Sequence, residues 1–267
     1  DQSLSMTFSE PMDITSLVLE NFNLTPSINF ESISGLQSGT TEIQLELINT
    51  LTEGIAYSLT ISNLKDCEGN VIEPTTIDLL IGAQPAVDDL SITEIMIDPS
   101  PVIGLPENEY IEIYNHSNLT IDLTDVMVGD GSGAVNLSGV IQPNSYVILA
   151  GSIVGFDPEI AAIKVSGLPN FSNSSDSIGL KLEAGDLIDF IKYQSSWYRD
   201  QSKAEGGYSL ERISFEEKCL PELNWIASIN ESGGTPGAVN SVWNQSFDSE
   251  APTVSGYQLI DGQNLAM

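Results

Sequence analysis

Residues 109–115 read EYIEIYN. Ile111 and Ile113 alternate with Tyr110, Glu112 and Tyr114, a period of two that predicts a strand with both isoleucines on one face. Asn115 suits a turn at its end, because Asn tolerates left-handed backbone and bonds its own chain. The same texture continues on both sides. Strands are predicted over 92–97, 121–128, 146–150, 178–182, 187–193, 208–213 and 224–227, with Gly, Pro, Asn or Asp between nearly all of them. Towards the N-terminus, Leu4, Met6 and Phe8, then Ile43, Leu45 and Leu47, then Tyr57, Leu59 and Ile61 alternate likewise. Turn-rich stretches separate them at 9–13 (SEPMD), 34–41 (SGLQSGTT) and 66–70 (DCEGN). Residues 13–22, with Asp13 as N-cap, predict one or two helical turns and no long helix.

The chain has 267 residues, long enough for two domains, and 41% of them are apolar, enough for ordinary packed cores. The segment 82–89 (GAQPAVDD) is small and polar and separates two regions of different texture, which places the boundary there. Acidic residues outnumber basic ones 38 to 8, for a formal charge of −30, so nucleic acid and anionic lipid are repelled. No apolar run reaches the length of a membrane span, so membrane insertion is not expected. The chain starts and stops within what read as strands, as a fragment of something longer would. Residues 261–267 (DGQNLAM) resemble 1–6 (DQSLSM) with one extra Gly, a repeat period of about 261 residues.

The opening 6–13 (MTFSEPMD), with 52–60 (TEGIAYSLT) and 66–70 (DCEGN), resembles the bacterial Ig-like domain of S-layer and other surface proteins. The first strand of that domain is missing before Asp1, and 251–259 (APTVSGYQL) resembles it at the other end of the chain. Residues 90–243 resemble the bacterial lamin-tail domain through 92–99 (ITEIMIDP), 109–115 (EYIEIYN), 121–129 (IDLTDVMVG), 143–150 (PNSYVILA), 207–212 (GYSLER) and 233–237 (GGTPG). The expected fold is all-β, two Ig-like antiparallel β-sandwich domains in tandem. Domain 1–82 lacks its first strand, 83–89 is a linker, 90–243 is the lamin-tail domain, and 244–267 is a linker with the first strand of a following repeat.

The resemblance implies a non-catalytic extracellular or cell-surface module serving structure, adhesion or assembly, with a protein or glycan as partner. The alternative it implies is a targeting or carbohydrate-binding appendage of a secreted hydrolase whose catalytic domain lies elsewhere. An Ig-like domain without its first strand exposes a sheet edge, and strand 252–260 of another copy can complete it, giving head-to-tail self-association. In the Ig-like reading the strand after Cys67 runs eight residues, roughly 26 Å, to the linker. Cys67 then faces a neighbouring module, so its expected partner is a neighbour's Cys219, with two free thiols as the alternative.

The residues themselves offer little chemistry. A single histidine, His116, excludes multi-histidine metal sites, and no GxSxG, P-loop, HExxH or EF-hand spacing occurs, so no catalytic residue is assigned. Calcium is the one cofactor considered, with Asp98, Glu107 and Glu109 in the loop 98–109 as candidate ligands against a reading as solvated charge. Trp197 and Tyr198 lie in a long loop where an aromatic pair can stack on a sugar, or can anchor the loop itself. Arg212 either pairs a carboxylate, with Glu112 the named candidate, or stands as an exposed surface charge.

Overall fold

Alternation of apolar side chains in the first third of the chain produces two facing three-stranded sheets, seen in a computed structural model that describes residues 2–215 and 220–243 together with Thr253, Val254 and Gly256. One sheet holds β1 (Ser3–Thr7), β3 (Phe30–Ser34) and β4 (Glu42–Leu47) in the order β1-β4-β3. The other holds β2 (Phe22–Thr25), β5 (Ala56–Ile61) and β6 (Thr75–Leu80) in the order β2-β5-β6. Ile43, Leu45 and Leu47 of β4 face Tyr57, Leu59 and Ile61 of β5, and all six are buried. Burying each such side chain stabilises by about 1.5–3 kcal/mol before conformational entropy is subtracted. The helical expectation over 13–22 shrinks to a single 3-10 turn at Leu19–Asn21. Asp13 does cap, but it caps a turn: its Oδ1 accepts from the Thr15 N–H at 2.9 Å and the Thr15 hydroxyl at 2.8 Å.

The second domain comprises β7 (Leu90–Met96), β8 (Tyr110–Asn115), β9 (Ile121–Asp122), β10 (Val126–Gly129), β11 (Ala134–Asn136), β12 (Val140–Ile141), β13 (Tyr146–Ala150), β14 (Ala162–Lys164), β15 (Ser175–Leu182), β16 (Leu187–Gln194), β17 (Leu210–Arg212) and β18 (Trp225–Ala227). A six-stranded sheet, β14-β13-β8-β7-β17-β18, packs on a four-stranded one, β11-β10-β15-β16, and β9 pairs with β12. The strand expected over 121–128 is two strands. Asp122 Oδ1 takes the Thr124 N–H at 2.8 Å and its hydroxyl at 2.6 Å, and that local turn breaks the ladder. β14 pairs with β13 in parallel, a departure from a wholly antiparallel sandwich that the long connection after β13 permits.

One irregularity in β7 sets the chemistry of the domain. Ile92 and Ile95 both enter the core, although three positions separate them. The ladder absorbs this as a β-bulge: Ile92 pairs with Ile113, Glu94 with Glu112 and Ile95 with Ile111, leaving Thr93 as the extra residue. The isoleucines therefore stay on the core face, and Glu94 and Glu112 come together on the opposite face.

The expected linker is tied down at its start. Ile81 accepts the Gly54 N–H at 2.7 Å, Gly54 accepts the Thr120 N–H at 2.8 Å, and Ala83 exchanges 2.8 Å bonds with Thr120 and Asp122. Ala83 forms a parallel bridge to Ile121. A Cβ on Gly82 would overlap the Asp122 backbone, so only glycine lets the two chains approach this closely. Gly82→Val should break the junction at a cost of about 1–3 kcal/mol, read as a lower urea midpoint, with a larger radius of gyration in small-angle scattering. An unchanged radius would show that the domains are held by something else.

Candidate functional site

The face of the six-stranded sheet turned away from the main core is buried as well. Glu211 pairs with Glu94 and Glu94 with Glu112, so three carboxyl groups stand side by side across β17, β7 and β8, each at 0% exposure. Like charges in register across a ladder repel, and buried ones also lose their hydration. The segment 233–242 lies over them and supplies hydrogen-bond donors. Thr235 gives its N–H to Glu94 at 3.0 and 3.1 Å, Gly237 gives its N–H to Glu112 Oε2 at 2.6 Å, and Glu211 Oε2 accepts from the Ser241 hydroxyl at 2.7 Å and the Val242 N–H at 3.2 Å. From the sheet itself, Thr93 donates to Glu112 Oε1 at 2.7 Å and the Tyr110 hydroxyl donates to Glu94. A Cβ on Gly234 would overlap Glu94 Oε1, which explains a glycine where the segment crosses the row.

None of these partners carries positive charge, so burial favours the protonated form of Glu94 and Glu112. Burial first, and Glu211 second, push the Glu94 carboxyl up to about 7. Burial and then Glu94 hold Glu112 well above the ordinary carboxyl range. The Thr235 hydroxyl lies 3.1 Å from Glu94 Oε2 and 3.0 Å from Glu211 Oε1. With one hydrogen it donates to only one of them, and a protonated carboxyl satisfies the other contact by donating to it. The row and the segment over it form one hydrogen-bonded loop closed across a sheet.

The residues singled out from the sequence fall elsewhere. Trp197 and Tyr198 sit in the 3-10 turn Ser195–Tyr198 and are 8% and 3% exposed within the main core. The Tyr198 hydroxyl donates to the Tyr208 carbonyl at 2.9 Å, so this pair anchors its loop and presents no face to a sugar. The three candidate calcium ligands each have a donor of their own. Asn173 reaches Asp98 Oδ2 at 2.6 Å, the Ser100 hydroxyl reaches Glu107 at 2.5 Å, and the Phe171 N–H reaches Glu109 at 3.1 Å. Among the described residues no three acidic, histidine or cysteine side chains gather as a metal site. Arg212 pairs with Asp189 at 2.9 Å and not with Glu112, because β17 turns it towards the Ile92 carbonyl and the Trp225 ring. Cys67 is an exposed free thiol in its turn, and Cys219 and the strand 252–260 lie outside the described residues, apart from Thr253, Val254 and Gly256.

A second feature had no signal in the sequence. Tyr114, His116, Tyr146, Phe215 and Trp243 form one half-buried aromatic group at an end of the six-stranded sheet. Tyr114 stacks on Phe215 with centroids 5.6 Å apart, His116 meets Phe215 edge-on at 4.1 Å, and Trp243 lies 4.5 Å from Phe215. His116 Nε2 is 3.0 Å from the Ser91 hydroxyl, which occupies it structurally. These rings come from four separate chain segments, so no spacing links them.

Because the folded-state pKa of Glu94 is raised from 4.5 to about 7, the native state holds its proton more tightly than the unfolded chain does. This contribution to stability is complete below about pH 4.5 and is lost as pH rises through about 7. Asp13, Asp66, Asp130 and Asp200, all lowered from 3.8 with hydrogen bonds the leading cause, act oppositely and lose their contribution as pH falls below that value. Melting temperature should therefore be higher near about pH 5 than near about pH 8. Glu94→Gln should raise the value at the alkaline end and shrink the difference, which calorimetry across that range reads directly. Trp197→Ala should cost about 3–5 kcal/mol of stability, as expected for a buried aromatic, in a denaturant titration.

Comparison with known proteins finds a family model similar to part of the second domain. No curated protein sequence matches the chain. Among solved structures, the N-terminal part of the bacterial S-layer protein SbsC is 15% identical with a TM-score of 0.28, covering 72% of this chain and 41% of its own. SbsC domains 1–6 give 13% and 0.28, covering 72% and 39%. A DUF4876 family protein from Bacteroides thetaiotaomicron VPI-5482 gives 9% and 0.32, covering 95% and 99%. The chain thus spans about two fifths of the S-layer chains it matches. The family model described as Lamin Tail Domain matches residues 83–195, and over those residues the second domain is similar to a lamin tail domain.

Proposed function

We propose that the chain is a non-catalytic extracellular or cell-surface module that acts as a stiff spacer or assembly unit. The observation that carries this reading is the hydrogen-bonded junction of Gly54, Ala83, Thr120 and Asp122, which couples two separate cores through backbone rather than through a slack tether. A spacer must transmit orientation, and a junction of this kind does so because bending it breaks several backbone bonds at once. The acidic surface supports a role away from nucleic acid and anionic lipid. No helix among the described residues is long and apolar enough to cross a membrane. The buried carboxyl row fits a structural role, since its groups are shut off from substrate by the segment 233–242.

A second reading, glycan contact, is favoured by the aromatic group around Phe215, which offers half-buried ring faces that Trp197 and Tyr198 do not. Two measurements test these readings together. The purified chain should turn over no chromogenic ester, phosphodiester or glycoside, and activity that follows the folded protein through purification would overturn the first. On a glycan array the second expects binding that Tyr146→Ala weakens about tenfold, the loss of about 1.4 kcal/mol. Binding indifferent to that change would remove the aromatic group from consideration.

A further inference from the structure

The first domain is closed along one side and open along the other. On the closed side β3 lies against the turn leading into β2, and Phe22, Leu24 and Phe30 are buried. On the other side β1 and β6 are the edge strands of the two sheets. Pairing fixes which of their side chains face inward: Leu4 and Met6 share a face with the buried Leu45 and Ile43, and Ile77 and Leu79 with the buried Leu59 and Tyr57. Inward-facing residues of a finished sandwich are covered, yet Leu4, Met6 and Leu79 are only half-buried and Ile77 is 41% exposed. A cavity of about 140 Å³ opens at one end of this seam, between Phe8 and the Val71–Ile72 stretch.

An apolar seam between two unpaired strand edges is the seat of one further strand, which would satisfy backbone groups and cover side chains in a single step. We propose that the occupant is the segment 252–260 (PTVSGYQLI) of a second copy of this chain. The segment contains no Asp, Glu, Lys or Arg in a chain with 38 acidic residues, so it enters without adding charge. Nine residues at about 3.3 Å span roughly 30 Å, more than the length of β1 or β6. The sequence after it, DGQNLAM, parallels DQSLSM at the start of the chain, so the segment stands before β1-like sequence as a preceding strand would. Val254 is 87% exposed. Reciprocal donation closes a two-fold dimer, and one-way donation builds a head-to-tail chain. The inference concerns how copies join and holds whatever the second domain contacts.

Light scattering behind a sizing column, run over rising concentrations, tests it. The full chain should show mass above the monomer that grows with concentration. Deleting residues 250–267 should return it to a monomer with a lower melting temperature, and a synthetic peptide of residues 250–262 should restore that temperature where a scrambled peptide does not. Ile77→Glu, at a site already 41% exposed, should keep the fold and lose the association. A full chain monomeric at every concentration would overturn the proposal. So would association that survives the deletion, or a monomer whose melting temperature falls on deletion, which would assign the tail to its own copy.

Discussion

Three carboxyl groups in a row, buried against a sheet with no cation among the described residues to meet them, impose the constraint around which the second domain is arranged. Each buried oxygen needs a donor, and leaving one unsatisfied costs about 1–3 kcal/mol or more. The segment 233–242 meets that need with the N–H groups of Thr235, Gly237 and Val242 and the hydroxyls of Thr235 and Ser241. Its glycine at 234 follows from the close approach, and its position over the sheet follows from the carboxyls. The bulge at Thr93 belongs to the same arrangement, since without it Ile95 and Glu94 would exchange faces. Residues far apart in sequence, 94, 112, 211 and 235, thereby become one structural unit.

Protonation links this unit to its surroundings. Glu94 and Glu112 are favoured in the interior when protonated, so the domain is held most firmly where its hydrogen-bonded surface acids are charged and these two are not. That balance differs from the ordinary case, in which acids paired in the native state make a protein weaker as pH falls. The junction between domains rests mainly on backbone hydrogen bonds, with Gln84 donating to Asp125 beside them.

Much of the fold was legible in advance. EYIEIYN placed Ile111 and Ile113 on the core face, and the alternations around Leu45 and Leu59 placed the first core. The reading failed where a local feature competed with the pattern. Asp122 broke a strand by bonding Thr124, while of the two readings of Trp197 and Tyr198 the buried rings agree with the one in which the pair anchors its loop. For Arg212 the sequence left pairing and surface exposure open, and its partner is Asp189, 23 positions earlier, and not Glu112. The aromatic group around Phe215 was illegible because its rings come from separate segments.

By itself the sequence determined the all-β class and which face of each central strand turns inward, because a period of two is a property of the strand alone. It also determined the acidic surface, because charge is a sum over residues. Only tertiary structure decided what covers the opposite face, which carboxyls stand side by side, and which edges stay open. Those depend on pairs of residues brought together by folding, and an isolated alternation of apolar and polar positions carries no record of what will lie against it.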